Sequence, residues 1–353
     1  MTKQTMTAAV LYGKEDVRIQ SVDIPDVGPG DVLVKIETAL TCGTDLKVYK
    51  RGYHSKMIQP PAVFGHEFSG TIDKTGSKVT NFKPGMRVVA ANSAPCGDCF
   101  FCKKDQPNLC ADLLFINGAY AQYILLPERI VQKNLLLVSE NVSMRDAALT
   151  EPLACAAKGI DDSQVQAQDT VLVLGAGPMS LLLIQLSKIK GASVWVTDMV
   201  DEKLSLAQKL GADHTINIRD IKEPVQEIKD MSPDKHGFDV VIDATGNPNC
   251  WEQAVHLTRK GGLVNFFGGC PTGSSIHLDT NLLHYSQLTL KASFHHTPAY
   301  IRKAFELISN GKINTDLLIQ HEEALEMLPK ILSDMATNNM NGRAYSPKTA
   351  IIP

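Results

Sequence analysis

The chain has 353 residues, 44% hydrophobic and 21% charged, which suits about two globular domains with cores large enough to fold without disulfides. Its 35 Lys and Arg against 38 Asp and Glu give a formal net charge of −3, so neither a polybasic nucleic-acid surface nor an acidic tail is present. Its most apolar stretch, 170–186, is interrupted by Gly175, Gly177 and Pro178, and Met1–Met6 lacks the apolar core of a signal peptide, so a cytoplasmic protein with no nucleic-acid or membrane partner is expected.

Residues 1 to 90 read as β-rich. The apolar runs Val32–Ile36, Gly70–Ile72 and Arg87–Ala90 are separated by Gly and Pro turns, and Gly28-Pro29-Gly30-Asp31 and Lys83-Pro84-Gly85-Met86 lead into strands. A cysteine-rich loop spans Cys96 to Cys110, and Ala119–Leu126 reads as a further strand. Met144–Ile160 has helical character, with Pro152 set against it. The texture changes at Thr170–Leu174, a continuous apolar run of the kind found in strands buried on both faces. Helix Pro178–Lys190, strand Ser193–Thr197, helix Asp201–Leu210, strand Phe238–Asp243, helix Asn249–Thr258 and strands Gly262–Phe267 and Leu288–Leu290 follow. This alternation predicts an α/β fold with a doubly wound parallel sheet. After Phe294 come a helix, Pro298–Asn310, and mixed structure.

Gly175-Ala176-Gly177-Pro178-Met179-Ser180 joins the first buried strand to its helix. The first Gly permits a tight turn and the second lets the backbone approach a pyrophosphate. The helix start, with Pro178 and Met179 in it, offers N–H donors and a positive dipole end. The third small position, ordinarily Gly or Ala, is Ser180. Asp198 ends the next strand, 198 − 175 = 23 residues later, where a carboxylate accepts hydrogen bonds from ribose hydroxyls and repels a 2′-phosphate. NAD is therefore expected over NADP. Lys203 is placed to reach the ribose, and Thr245 is counted among the cofactor contacts. Asp198 alone is equally an ordinary solvated residue; the order strand, turn, helix, strand, acid carries the assignment.

Cys96-x2-Cys99-x2-Cys102-x7-Cys110 is the sharpest motif in the chain. Four thiolates at these spacings surround a tetrahedral Zn²⁺, and four protein ligands leave no open position, so the site is expected to be structural. Disulfides, free thiols or an iron–sulfur cluster are the alternatives. Cys155, Cys250 and Cys270 are isolated and read as ordinary small residues. Cys42 (in Thr41-Cys42-Gly43-Thr44-Asp45), His66 (in Gly65-His66-Glu67) and Glu151 (in Glu151-Pro152-Leu153) supply a second possible set. Cys, His and a carboxylate suit a catalytic zinc with one position left for water or substrate. Taken singly, each has a plain structural role: a small core residue, a satisfied polar residue, a helix-start charge.

The ungapped run Gly65-His66-Glu67-x2-Gly70-x5-Gly76-x2-Val79 resembles the zinc-containing alcohol dehydrogenase signature. With Cys42-Gly-Thr-Asp, the four-Cys loop, Glu151-Pro-Leu and the Gly175 turn, it makes the whole chain similar to the medium-chain zinc dehydrogenases, in the branch of sorbitol (L-iditol) 2-dehydrogenase and threonine 3-dehydrogenase. The resemblance implies a GroES-like β-rich catalytic domain, 1–156 plus 296–353, a Rossmann domain, 157–295, and a cleft at their junction. It implies two zincs per chain, one structural and one catalytic. Cys42 and His66 would hold the catalytic zinc. Glu67 and Glu151 are both carried over, since either can bind it directly or through water. A homodimer or homotetramer is implied too.

The reaction so implied is hydride transfer from a secondary alcohol, a polyol or sugar derivative, to NAD, with Thr44 taking the hydroxyl proton. Two departures stand out. The position five residues after the zinc Cys, often His in this branch, is Lys47, which counts against L-threonine as substrate; His54, nearby in sequence, is either its substitute or, as expected here, a residue of a solvated loop. The loop Ala111–Gly118 is short, with Phe115 and Ile116 able to line a pocket. His295 and His296, where the chain leaves the Rossmann domain, are either hydrogen-bond donors to a polyol or a polar loop, and neither is counted as catalytic. The competing expectations are a threonine dehydrogenase, an NADPH-dependent reductase and a non-catalytic, zinc-stabilised nucleotide-binding protein.

Overall fold

The computed structural model describes residues 4–54, 57–337 and 346–353, so the first three residues of the segment read for a leader lie outside it. The chain divides into two compact units, Met1–Ala154 with His296–Pro353, and Cys155–His295. Among the described residues no helix is long and apolar enough to cross a membrane.

The first unit opens with a hairpin, β1 (Thr5–Gly13) and β2 (Asp16–Asp23). Strand β3 (Val32–Leu40) follows the predicted turn and leads to helix α1 (Gly43–Arg51). Short β4 (Ala62–Val63) pairs with β1; β5 (Phe68–Thr75) and β6 (Arg87–Ala90) pair with each other, and β5 lies along β3. Strand β7 (Ser93–Ala94), helix α2 (Phe100–Lys103) and β8 (Leu114–Phe115) frame the cysteine-rich loop.

The expected strand Ala119–Leu126 forms a ladder only over β9 (Tyr123–Leu126). Before it, the backbone alternates partners: Tyr120 N donates to Phe64 O, while Tyr120 O accepts from Ala9 N. Helix α3 (Glu128–Asn134), β10 (Leu135–Leu137), α4 (Met144–Ala147) and α5 (Thr150–Asp162) complete this stretch. Pro152 does not break the helix because it lies in the first turn of α5, where its missing N–H would have no partner in the helix.

The second unit alternates β11 (Thr170–Leu174), α6 (Pro178–Ile189), β12 (Ser193–Asp198), α7 (Asp201–Lys209), β13 (His214–Asn217), α8 (Pro224–Met231), β14 (Phe238–Asp243), α9 (Pro248–Leu257), β15 (Thr258–Phe266), α10 (Thr280–Tyr285) and β16 (Thr289–Ala292). All neighbours are parallel, in the order β13-β12-β11-β14-β15-β16. The strand order reverses between β11 and β14, so the crevice at their carboxyl ends is where such a sheet binds ligands. Val171–Leu174 and Val194–Val196 are almost fully buried, as the unbroken apolar runs require.

The chain then returns to the first unit through α11 (Pro298–Ser309), β17 (Ile319–Ala324), α12 (Leu328–Thr337) and β18 (Lys348–Ile352). Strand β18 inserts beside β3, giving a sheet ordered β10-β6-β5-β3-β18-β17 with β9 also on β3. The core around Phe64, Phe68 and Tyr120 lies against this sheet.

Candidate metal centres and nucleotide turn

Within the cysteine loop, α2 and the tight turn Pro107–Leu109 bring four sulfurs face to face. The Sγ separations are 3.4 Å for Cys96–Cys110, 3.6 Å for Cys99–Cys102, 3.8 Å for Cys99–Cys110 and 4.0 Å for Cys96–Cys102. A tetrahedral zinc with Zn–S of about 2.3 Å sets its sulfurs about 3.8 Å apart, whereas a disulfide needs about 2.05 Å. All four thiols are free, and the cluster fits a closed zinc site. Backbone N–H groups already serve the sulfurs: Cys96 N donates to Cys110 Sγ (3.2 Å), Cys99 N to Cys96 Sγ (3.4 Å) and Ala111 N to Cys99 Sγ (3.4 Å). Backbone donors from Cys102 and Ala111 draw the Cys99 thiol down to about 6, while burial pushes Cys110 up to about 12.

The second set is assembled from distant segments. Cys42 is the N-cap of α1, and its Sγ accepts from Thr44 N at 3.4 Å. His66 follows Gly65, whose φ of +93° and lack of a side chain let the turn lie against Tyr120; a Cβ there would stand 2.6 Å from the ring. The His66 Nδ1 is 3.1 Å from Asp45 Oδ1, and Tyr120 OH donates to Asp45 Oδ2 at 2.6 Å. Asp45 thus fixes the imidazole so that Nε2 is the nitrogen left for a metal. Ligand atoms of Cys42, His66 and Glu67 lie within 4.8 Å of one another.

Charge argues the same way. Burial disfavours a histidine cation, yet the Asp45 and Cys42 charges outweigh it and hold the His66 pKa well above the ordinary value. Tyr120 is likewise pushed well up, by burial and then by Asp45. A sulfur, an imidazole and a carboxylate gathered this closely, with His66 and Glu67 buried and Cys42 half-buried, fit a divalent cation of zinc's preferences.

The two glutamates are placed differently. Glu67 is fully buried, and both its oxygens accept from Lys348 Nζ, at 2.7 and 2.5 Å. Glu151, in the first turn of α5, has Oε1 3.5 Å from His296 Nε2 and belongs to the same electrostatic environment: Lys348 is held above the ordinary lysine pKa, against its burial, by Glu67, Cys42 and Glu151. His296 is buried and also lies 3.4 Å from Ser93 Oγ. Thr44 is half-buried in the first turn of α1, and Lys47 is exposed. His54 Nδ1 accepts from Met57 N at 3.2 Å, closing a local turn. Phe115 is half-buried and Ile116 buried. Asp45, Tyr120 and Lys348 are the participants that the sequence did not single out. Asp45 stood inside the quoted Cys42 motif, and Lys348 heads a short apolar run at the chain's end.

In the second unit, Gly175 has φ +91°, and a Cβ on it would meet Thr245 Cγ2 at 3.0 Å, so Thr245 packs against the turn. Gly177 is the N-cap of α6, and a Cβ there would project into open space, where a phosphate can approach. Pro178 has no N–H, and the first-turn amides of Met179 and Ser180 have no partner within the helix. Ser180 is buried beneath the turn. Asp198 Oδ2 accepts from Ala176 N at 2.8 Å, and Oδ1 accepts from Met199 N at 2.8 Å and Val200 N at 3.1 Å. The carboxylate is therefore fixed by backbone, half-exposed, with lone pairs remaining. Lys203 is half-buried on α7. Arg219 donates to Met199 O at 2.6 Å, which sets a cation beside the same loop. The turn fits a dinucleotide.

Comparison with known proteins gives two domain matches: the alcohol dehydrogenase GroES-like domain over residues 28–135 and the zinc-binding dehydrogenase domain over 178–310. The chain is 31% identical over 330 residues to sorbitol dehydrogenase of Bacillus subtilis (strain 168), covering 92% of this chain and 91% of that protein. It is 32% identical over 332 residues to L-threonine 3-dehydrogenase of Pyrococcus furiosus, covering 90% and 92%. A zinc-binding dehydrogenase from Sinorhizobium meliloti 1021, solved bound to NADP, superposes with a TM-score of 0.88 at 29% identity, covering 99% of this chain and 100% of that one.

Proposed function

Because the chain belongs to the zinc-containing medium-chain dehydrogenases, in the sorbitol and threonine dehydrogenase branch, we propose that it oxidises a secondary alcohol of a polyol or sugar derivative to the ketone with NAD. The observation that carries this reading is the gathering of half-buried Cys42 with buried His66 and Glu67, on a chain that also has a nucleotide turn whose Ala176 N–H is held by Asp198 at the end of the next strand.

Zinc, when bound, supplies a Lewis acid that lowers the pKa of the substrate hydroxyl, and the nicotinamide accepts the hydride. The chain's own residues do the remainder. Cys42 and His66, with Glu67 or Glu151, are the metal-holding groups, and Asp45 keeps His66 in the right tautomer. Thr44, two residues from Cys42, takes the hydroxyl proton and passes it outward. The substrate hydroxyl would lose its proton to Thr44 as Thr44 gives its own on to solvent, and NAD, when bound, would supply the hydride acceptor, so that the alcohol becomes a ketone. Cys96, Cys99, Cys102 and Cys110 hold a second, structural zinc. Gly175, Gly177, Pro178 and Met179 form the pyrophosphate turn, with Thr245 against it; Asp198 and Lys203 serve the ribose. We take the assembly to be a cytoplasmic homodimer or homotetramer.

L-Threonine is the second reading, favoured by the P. furiosus relative and opposed by the exposed Lys47 at the expected relay position. Cys42, Thr44 and His66 are all retained, against a non-catalytic role. Arg219 gives NADP a possible partner, so both cofactors belong in the assay. The test is zinc content together with NADH formation over a panel of polyols, sugar acids, threonine and simple secondary alcohols. Two zincs per chain and turnover of one polyol class are expected; turnover of threonine alone would replace the substrate assignment, and one zinc with no turnover would overturn the reading. Asp198→Ala should narrow the preference for NAD over NADP by roughly tenfold, the scale of a charge-assisted hydrogen bond; an unchanged ratio would remove its ribose role.

A further inference from the structure

Resting on the dinucleotide reading above, we propose that Asp243 biases the cofactor site toward the oxidised nicotinamide. It does so as a buried carboxylate met, among the described residues, by neutral donors, at the end of the strand that opens the nicotinamide half of the parallel sheet.

Asp243 is the last residue of β14 and has no exposure. Its Oδ1 accepts from Thr245 Oγ1 at 2.6 Å and Thr245 N at 3.3 Å. Its Oδ2 accepts from Gly246 N at 3.0 Å and from Trp251 Nε1, on α9, at 3.1 Å. None of these partners is a cation. The two amides and the indole can only donate, which suits a carboxylate. Burial raises the Asp243 pKa, and these donors oppose the rise. Two loops pressed together seal the charge from water. A Cβ on Gly268 would stand 2.4 Å from Gly246 N and 2.9 Å from Asp243 Oδ2, so glycine lets the segments after β14 and β15 close over the carboxylate. Gly268 N in turn donates to Asp243 O at 2.7 Å.

The place of this charge gives it a role. A sheet of this kind takes one nucleotide on each side of the strand reversal. Asp198, on β12, marks the adenosine side, so β14, β15 and β16 carry the nicotinamide side. One side chain separates Asp243 from the Gly175 turn. Thr245 donates its hydroxyl to Asp243, accepts from Asn247 N at 3.1 Å, and sets Cγ2 3.0 Å from where a Gly175 Cβ would stand. Oxidised and reduced cofactor share the pyrophosphate, riboses and adenine, and differ by one positive charge on the nicotinamide ring. An anion shielded from water favours the cationic ring, and its repulsion of the pyrophosphate cancels between the two forms. The other role open to Asp243, holding the loops in shape, would act on both forms alike.

The test is calorimetric titration of the zinc-loaded full chain with NAD and, separately, with NADH, in the absence of substrate. Asp243→Asn keeps the size of the side chain, and the Thr245 hydroxyl can turn to accept from the new amide. It is expected to weaken NAD relative to NADH by roughly tenfold, the scale of one charge acting over ~10 Å at an effective dielectric of about 20. Trp251→Phe removes a donor and keeps the charge, so the ratio of the two affinities should barely move. An unchanged ratio in Asp243→Asn, whatever both affinities lose in common, overturns the proposal. So does an equal change of ratio in Trp251→Phe, which would make the effect one of loop shape.

Should Asp243→Asn fail to fold, Asp243→Asn/Trp251→Phe also removes the indole N–H that would face the amide. The same shift of roughly tenfold is expected of it, and a ratio equal to that of Trp251→Phe alone overturns the proposal. If the chain takes NADP instead, NADP and NADPH enter the same comparison. If wild type binds none of these cofactors, the dinucleotide reading itself has failed.

Discussion

Four sulfurs at Cys96, Cys99, Cys102 and Cys110 come from one loop, whereas Cys42, His66 and Glu67 come from a helix start and a turn more than twenty residues along the chain. The loop cluster uses one ligand type, is largely half-exposed and is served by backbone N–H donors. The distant set mixes sulfur, nitrogen and oxygen, and is backed by Asp45, Tyr120 and Lys348. A uniform, locally closed cluster can brace a fold but leaves nothing for chemistry. A mixed set on separate elements keeps a position open, and needs buried charges behind it to stay in place. The comparison therefore predicts that damage to the loop appears as lost stability and damage to the distant set as lost turnover.

The largest effect should come from His66→Ala. Removing a metal-holding group strips the site of its principal stabiliser of developing negative charge, so kcat/KM should fall by at least about 10³-fold. Elemental analysis should show one zinc gone and the four-Cys zinc kept. Loss of both metals together would break the proposed independence of the two sites.

Cys102→Ser is the complementary test. Metal that binds only the folded chain contributes about 4 kcal/mol when free zinc is a thousandfold above Kd, and that contribution should vanish. Denaturant unfolding in the presence and absence of a chelator would measure it, with turnover per folded molecule unchanged. If the variant unfolds like wild type, the loop is not a structural zinc site.

Asp45→Asn probes the group behind the distant set. It removes the charge that holds His66, so zinc affinity at that centre should fall about 10- to 100-fold while the loop zinc stays. Competition titration would read it, and equal loss at both metals would mean that Asp45 acts on the fold at large.

The same contrast explains what was legible in the sequence. The four-Cys cluster could be read because its spacing and its geometry are nearly the same information. The Gly175 turn could be read for the same reason: strand, Gly pair and helix are contiguous, and Asp198 follows on the next strand. Lys348 could not be read that way. It is far from Glu67 in sequence and meets it only because β18 inserts beside β3, an event that no local pattern in Lys348–Ile352 announces. Tyr120 was obscured because Ala119–Gln122 looks like strand but spends its backbone hydrogen bonds on different neighbours. Pro152, set against the helical reading of Met144–Ile160, proves harmless because it lies in the first turn of α5.

The smallest predicted effect is a proton count at the loop. Metal binding requires thiolates, so zinc displaces whichever thiol protons remain. Backbone N–H groups hold Cys99 at about 6, so near pH 7.5 it gives up almost none, while Cys110, pushed up by burial to about 12, gives up a full proton. Uptake at that pH should thus release fewer protons than the four thiols carry. As pH falls through about 6, Cys99 becomes protonated and must release its proton too, so affinity should fall more steeply with acidity below that point than above it. Calorimetry of zinc uptake by the Cys42→Ser chain, in buffers of different ionisation heat, isolates the loop and gives the count directly. Release of all four protons at pH 7.5 would mean that the backbone donors do not prepare Cys99 for the metal, and the loop would then differ from the distant site in geometry but not in how its ligands are charged beforehand.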